Sequence, residues 1–578
     1  MPSAPSLDRA AVVTARAPSG SAALAAYTPR APDKTILYAI VREHLETFLA
    51  LASERYARPL PAYVVAAFRA YLACGILANG FLRVVCCGCR HEALVAFSCK
   101  ARGLCPSCGA RRMSNLAAHV VDRILPNVPV RQWVLTLPYD LRRLLASRTE
   151  VLRAVAQIFA ESIARRQRTA AKIRGAQSGA ITFPQRFGGS LNAHVHMHVV
   201  ALDGVYAKTG DAAPTFHPTP PPTRAELELV ARDVRDRVLR WLRKRGLVDP
   251  AEPPDEDDTD EPNALDACTQ LAIAPGTFVR LDPRGQRIAP GKDDAIEKRP
   301  KDAANADGFD VHAAVRIRAD DDIGREKLTR YCARPPFALD RISVLADGKI
   351  AYRVKYARRG ATHRVMTPTE FLARLAALIP PPKYPLVRYH GVLAPHAKWR
   401  RAIVPRPPHE ADACGHDHRR ADRGRVSATA STSEAIAARD AEPVVAPTTA
   451  NVAPLVARAA EPGGQLFLFA PPSTIAAPRP PNILSDGHVR RLLGGQLLAR
   501  APRVPWATLM RRTFDLDVLR CPKCHSVMRI VADIEDPAVA AKILAHLGKP
   551  TRAPPIARAR DPGDDDDEPA PPSSDYAT

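Results

Sequence analysis

The chain has 578 residues, 25% of them charged and 46% hydrophobic, and carries a formal charge of +23. That excess favours a polyanionic partner, because cations that neutralise phosphates release bound counterions. No run of about 18 apolar residues occurs, which argues against a membrane span. No apolar segment follows the first charges either, so no secretory signal peptide is expected and the protein is read as cytoplasmic.

Such a length divides into several domains. The 56 prolines against 15 Phe and 4 Trp imply that a sizeable minority of the chain builds no core. Twelve cysteines, several in CxxC spacing, point to metal binding in a reducing compartment and not to disulfides.

In chain order, residues 1–33 are Ala/Pro/Ser-rich and expected to be disordered. An apolar stripe (Ile36, Ile40, Val41, Leu45, Phe48) then predicts a helix, and Ala62–Leu77 a second. The stretch from Phe81 to Met113 carries Cys86 and Cys89 in one CxxC pair and Cys105 and Cys108 in another. Two such knuckles joined by a short hairpin suit one tetrahedral zinc, closed and therefore structural. Cys99 stands near the second knuckle as a possible replacement ligand. Arg102, Arg111 and Arg112 flank the module and suit phosphate contacts.

Asn115–Leu125 continues as helix, Arg131–Leu137 reads as a strand, and Arg148–Ile173 as one long basic helix. Ala180–Phe183 is a short strand leading to Phe187 and the pair Gly188–Gly189. The next strand sets His194, His196 and His198 at every second position, so all three project from one face. Two of these imidazoles could share a divalent cation; a solvated polar strand face is the plain alternative. Asp203–Gly204 is a turn signal. An amphipathic helix over Arg224–Lys244 follows, then polar stretches at Pro250–Pro262 and Asp282–Asp310. Arg325–Cys332 fits a short helix ending before Pro335–Pro336. Tyr331 lies on it, with Lys327 one turn before and Arg334 three residues after, a cationic setting that favours a phenolate nucleophile. Three strands (Arg341–Leu345, Ile350–Lys355, Thr362–Met366) and a helix at Pro368–Ile379 come next, then a basic, aromatic-interleaved stretch including Tyr389, His390 and Trp399. Residues 406–482 read as a flexible linker and 483–555 as a small module. That module's CxxC pair, Cys521 and Cys524, is half a site, its other ligands unidentified among His525, Cys414, His416 and His418. Residues 556–578 form an acidic tail.

Three blocks, CxxC…FSCKARGLCPSCGARRM, SLNAHVHMHVVALDGVY and LTRYCARPPFALDRIS with RYHGVLAPHAKWR, resemble the rolling-circle transposases of the insertion sequence 91 group. These belong to the HUH endonuclease superfamily (His, hydrophobic, His). The resemblance implies an α+β fold: an antiparallel-sheet HUH core at 126–405, with a loop-rich insertion at about 207–310, after a helical zinc-binding domain at 34–125. It places the catalytic metal pair on His196 and His198, with Mg2+ or Mn2+ as cofactor, and leaves His194 as a neighbour. It places the nucleophile on Tyr331, and Gln185, Asp203 and Glu326 are candidates for a third ligand. Members with two tyrosines space them by one helical turn; the corresponding positions here are Lys327 and Pro335, so the chain reads as a single-tyrosine type. The implied activity is cleavage and rejoining of single-stranded DNA at transposon ends and target. A plasmid relaxase or replication initiator with the same chemistry, and a non-catalytic zinc-dependent DNA-binding protein, are the competing readings. The absence of a GxxxxGK[ST] loop fits a reaction without ATP.

Overall fold

The histidine strand, Ala193–Leu202, is central to a seven-stranded antiparallel sheet. In the computed structural model, which describes residues 29–248, 263–282, 285–288, 303–358, 360–382, 384–405, 505–514 and 516–560, Val130–Thr136 pairs along one side of that strand and Gly179–Phe187 along the other. The sheet extends through Phe309–His312 and Ala303–Ala306 at one edge and Arg388–Gly391 at the other, with Arg316–Ile317 also on Val130–Thr136.

Alternation gives this sheet two cores. Trp133, Leu135, Val195, Met197 and Val199 face helices Leu141–Ser147, Thr149–Ala171 and Arg224–Arg243. Val130, Ile181, Phe183, Val200 and Leu202 face the other way, onto Val120, Ile124, Leu328, Cys332, Val392 and Leu393. The even-numbered histidines belong to this second face. A separate five-stranded sheet (Ile342–Val344, Ile350–Arg358, Ala361–Met366, Thr277–Leu281, Arg287–Ile288) joins helices Ile36–Arg55, Ala62–Ala73, Ala264–Ile273 and Pro368–Leu378 around a third core. The fold is thus α+β with antiparallel sheets.

Several expectations need correction. The long basic helix stands as Thr149–Ala171, but a short helix that was not expected, Leu141–Ser147, precedes it, the two separated at Arg148, whose backbone is extended (φ −105°, ψ 109°). The short strand before the histidines runs to nine residues, Gly179–Phe187. The histidine strand closes at Leu202 with a bend at Asp203, as expected, but Gly204–Ala207 then forms a further strand, paired with Thr215–Pro218 in a separate two-stranded sheet. Gly204 is required there because a Cβ would lie 2.3 Å from the His217 carbonyl oxygen. The insertion contains ordered elements, including Arg224–Arg243, started by a capping box between Thr223 and Glu226. The C-terminal segment is not free-standing. Its strand Met528–Ile534 pairs with Phe81–Cys86, which pairs in turn with Glu92–Ala96, and helix Pro537–His546 covers Phe81 and Leu94 through Ala540 and Leu544.

Expectations for residues 1–28, 249–262, 289–302, 406–504 and 561–578, including the start of the C-terminal module and Cys414, His416 and His418, lie outside the described residues. Among the described residues no helix is long and apolar enough to cross a membrane.

Candidate functional site

Strand pairing sets Gln185 and Thr136 opposite His196, and Phe183 and Val134 opposite His198. Side chains directly across a ladder share a face, so Gln185 joins the histidine row. The His196 and His198 rings lie 4.9 Å apart, centroid to centroid, and His194 is 5.2 Å from His196. His196 and His198 are buried, whereas His194 is half-exposed. Burial, reinforced for His198 by the charges of His196, Arg334 and Lys355, holds His198 well below its ordinary pKa and pushes His196 down to about 4. Both rings are therefore neutral near pH 7, the form that ligates metals.

The ring hydrogen bonds orient this pair. His196 Nδ1–H donates to the His194 carbonyl oxygen at 3.0 Å, which leaves its Nε2 lone pair for a ligand. Gln132 Nε2 lies 2.8 Å from His198 Nδ1 and 3.8 Å from Cys332 Sγ. The metal-ligating tautomer is the one in which Nδ1–H donates to the Gln132 oxygen, so the facing of this amide decides which ring nitrogen is free. His198 Nε2 and Gln185 Oε1 are buried with no hydrogen-bonding partner. With the Gln132 amide turned so that its oxygen faces the ring, His198 Nε2 and Gln185 Oε1 are both acceptors, and with His196 Nε2 they make a donor set of imidazole and amide oxygen suited to a small divalent cation.

Tyr331 comes to this face from helix Asp322–Cys332. Asp321 caps the helix by accepting from Gly324 N at 2.7 Å. Gln185 Nε2 donates to the Tyr331 and Cys332 carbonyls at 3.2 and 2.8 Å, so one side chain both faces the histidines and ties down the helix end. The Tyr331 ring meets His198 edge-on at 5.4 Å and is 40% exposed, leaving it open to a substrate. Arg334 stands 5.2 Å from the ring centroid and Lys355, from the five-stranded sheet, 5.5 Å. Lys355 is held beside the glycine pair by its backbone N–H, which donates to the Gly189 carbonyl at 3.2 Å.

Other predicted residues are placed elsewhere. Lys327 is exposed, and Lys355 is the lysine over the Tyr331 ring. Asp203 is not at the histidines: buried at the far end of their strand, it forms ion pairs with Arg131 at 2.8 Å and Arg316 at 2.7 Å. Glu326 pairs with Arg330 and Arg512. Arg102 donates to the Tyr384 and Pro381 carbonyls at 2.7 and 2.8 Å, a tie within the chain; Arg111 and Arg112 are exposed, although Arg112 also donates to the Lys100 carbonyl at 2.8 Å. Gln132 and Lys355 were missed. Gln132 stands beside Arg131 in the strand Val130–Thr136, and its side chain was not singled out by any local signal.

The cysteines do not form the single set Cys86, Cys89, Cys105, Cys108. Among the described residues they form two sets of four: Cys74, Cys99, Cys105 and Cys108, and Cys86, Cys89, Cys521 and Cys524, with all Sγ atoms in each within 4.8 Å of one another. Cys99 is thus a full member of the first set. The C-terminal half-knuckle is completed by the first N-terminal knuckle. Backbone N–H groups of Cys99, Ala101 and Gly88 point at Cys74, Cys99 and Cys86 sulfurs at 3.2, 3.4 and 3.3 Å, and Arg30 donates to Cys74 Sγ at 3.0 Å. Four thiolates supported by such donors fit structural zinc. The first set seats the start of helix Pro106–Arg123, whose Gly109 passes close to Pro335: a Cβ there would lie 3.1 Å from the proline ring. This helix also shares the core of the tyrosine helix.

Comparison with known proteins agrees with this arrangement. A transposase family model (Y2_Tnp) matches residues 179–401, and the model of the "Transposase zinc-binding domain" (Zn_Tnp_IS91) matches residues 40–137. No curated protein and no solved structure matches the chain. The two models fall in order on the zinc-binding and histidine–tyrosine parts of the structure, and the chain belongs to the transposases of the insertion sequence 91 family, proteins that act on DNA.

Proposed function

We propose that this transposase cleaves and rejoins single-stranded DNA at insertion-sequence ends through a 5′-phosphotyrosine on Tyr331, the chemistry of an HUH endonuclease core at 126–405. The observation that carries the reading is the Tyr331 ring against His198, on the face where His198 Nε2 and Gln185 Oε1 are buried without a hydrogen-bonding partner in the row that also holds His196. A central histidine strand flanked by antiparallel neighbours, with the tyrosine helix over its face, supports the same reading.

Mg2+ or Mn2+ held by His196, His198 and Gln185 would supply Lewis-acid charge at the scissile phosphate. Arg334 and Lys355, which flank the Tyr331 ring, stabilise the charge that develops on the phosphoryl oxygens in the transition state. The Tyr331 oxygen attacks phosphorus, the bond from phosphorus to the 3′ oxygen breaks, and the departing alkoxide takes a proton to become a free 3′-OH. The phosphotyrosine ester conserves the bond energy, and a second 3′-OH reverses the step to join a new strand. Arg111 and Arg112, exposed on the zinc-bearing helix, serve as phosphate contacts outside the site. Both thiolate sets are closed and remain structural.

The test incubates the full chain and Mn2+ with single-stranded transposon-end oligonucleotides labelled at either end. A denaturation-resistant adduct carrying only the 3′-side label, with a free 3′-OH on the other product, supports the reading. Cleavage without an adduct points instead to a water-activated phosphodiesterase. Binding without cleavage points to a non-catalytic DNA-binding protein. His196→Ala and His198→Ala are expected to abolish cleavage while DNA binding persists.

A further inference from the structure

We propose that the C-terminal segment, residues 505–560, clasps the tyrosine helix, with Arg512 as a positioning residue for Tyr331. The inference rests on the proposed role of Tyr331. Arg512 lies on helix Trp506–Phe514 with its side chain 2% exposed. Its guanidinium bridges two buried carboxylates on different helices. It pairs with Asp122 on Pro106–Arg123, and its Nη2 reaches Glu326 Oε2, on the tyrosine helix, at 2.9 Å. Without this cation the two carboxylates lose a shared counter-charge between packed helices. Glu326 precedes Tyr331 by about one and a half helical turns. A shift that relieves the carboxylates therefore moves Tyr331 against the histidines, while Gln185 still holds the helix end.

The rest of the segment fixes Arg512 in place. Leu509 is buried against Ala118, and the strand Met528–Ile534 is paired on Phe81–Cys86. Ala557 N and Arg560 N donate to Arg42 O and Thr47 Oγ1, both at 3.0 Å. Cys521 and Cys524 close the mixed thiolate set with Cys86 and Cys89. The metal set and the Arg512 bridge lie on one stretch of chain, so loss of the mixed set frees the segment that carries Arg512. Zinc at a closed site distant in sequence then bears on the chemistry at Tyr331.

The experiment uses the full chain as wild type, Arg512→Lys, Arg512→Gln, Cys521→Ser and Tyr331→Phe. It measures hydrogen exchange over residues 322–332, affinity for a single-stranded oligonucleotide, and single-turnover adduct formation with Mn2+. Arg512→Gln is expected to speed exchange in 322–332 and slow adduct formation by about 10- to 100-fold at unchanged DNA affinity. Arg512→Lys is expected to restore part of the rate, and Cys521→Ser to reproduce the exchange pattern. Wild-type exchange and rate in Arg512→Gln would overturn the proposal, as would a loss confined to DNA affinity. If Arg512→Gln does not fold, Arg512→Lys and Cys521→Ser decide by the same criteria. An adduct that persists in Tyr331→Phe would remove the nucleophile assignment alone, since exchange in 322–332 still reports on the clasp.

Discussion

Cys86 and Cys524 are 438 positions apart in the chain and 3.4 Å apart in space, Sγ to Sγ. Cys89 and Cys521 meet in the same way at 3.6 Å. The N-terminal knuckle and the C-terminal knuckle are halves of one site, and the second N-terminal knuckle draws its partners from Cys74 and Cys99.

Metal content tests this partition directly. Purified protein should hold two zinc ions per chain. Cys521→Ser and Cys86→Ser should each lower this to one, and the double variant should lower it no further. Were all zinc bound by Cys86, Cys89, Cys105 and Cys108 alone, Cys521→Ser would lose none.

The depressed histidine pKa values predict a metal site that tolerates acid. A group whose charged form is disfavoured stays neutral until the pH falls toward its lowered value, about 4 for His196 against an ordinary 6.5. Mn2+ binding, followed by electron paramagnetic resonance, should hold level from neutral pH to about 5.5 and fall below that. Loss of binding with a midpoint near 6.5 would mean solvated, ordinary histidines.

Gln132 orients His198 from the neighbouring strand. Gln132→Leu should lower Mn2+ affinity or cleavage by about 10- to 100-fold, the usual effect of removing a partner behind a ligand. DNA affinity and zinc content should not change. An unaltered Mn2+ titration would show that the amide does not set the ring.

Asp203 predicts the opposite profile. Its carboxylate is buried between Arg131 and Arg316, so Asp203→Ala should destabilise the fold by about 3–5 kcal/mol in chemical unfolding. Mn2+ affinity of the folded fraction should stay at wild-type level. Selective loss of Mn2+ affinity at unchanged stability would return Asp203 to the candidate ligands.

What was legible in the sequence was local. Period-two alternation placed the histidines on one strand face, and the prolines after Arg334 ended the tyrosine helix where the structure ends it, at Cys332. CxxC spacing reports a single turn, so each knuckle was readable, but which knuckles meet is a matter of tertiary packing. The count could not settle it either: besides the three CxxC pairs the sequence has Cys74, Cys87, Cys99, Cys268, Cys332 and Cys414, and only the packing picks out Cys74 and Cys99. Lys355 was out of reach because it arrives from another sheet, and nothing in its own strand marks it. Lys327 sits at the right helical spacing, yet a long exposed side chain gains more from water than from the ring.

The most direct measurement is peptide mapping of the covalent adduct. Arg330 precedes Tyr331, and trypsin passes Arg334 because Pro335 follows, so the relevant peptide is residues 331–341. After reaction with a single-stranded transposon end and nuclease trimming, mass spectrometry should find a 5′-linked nucleotide on Tyr331 in that peptide, and nothing in Tyr331→Phe. A nucleotide on any other residue, or strand cleavage with every tryptic peptide unmodified, would contradict the account.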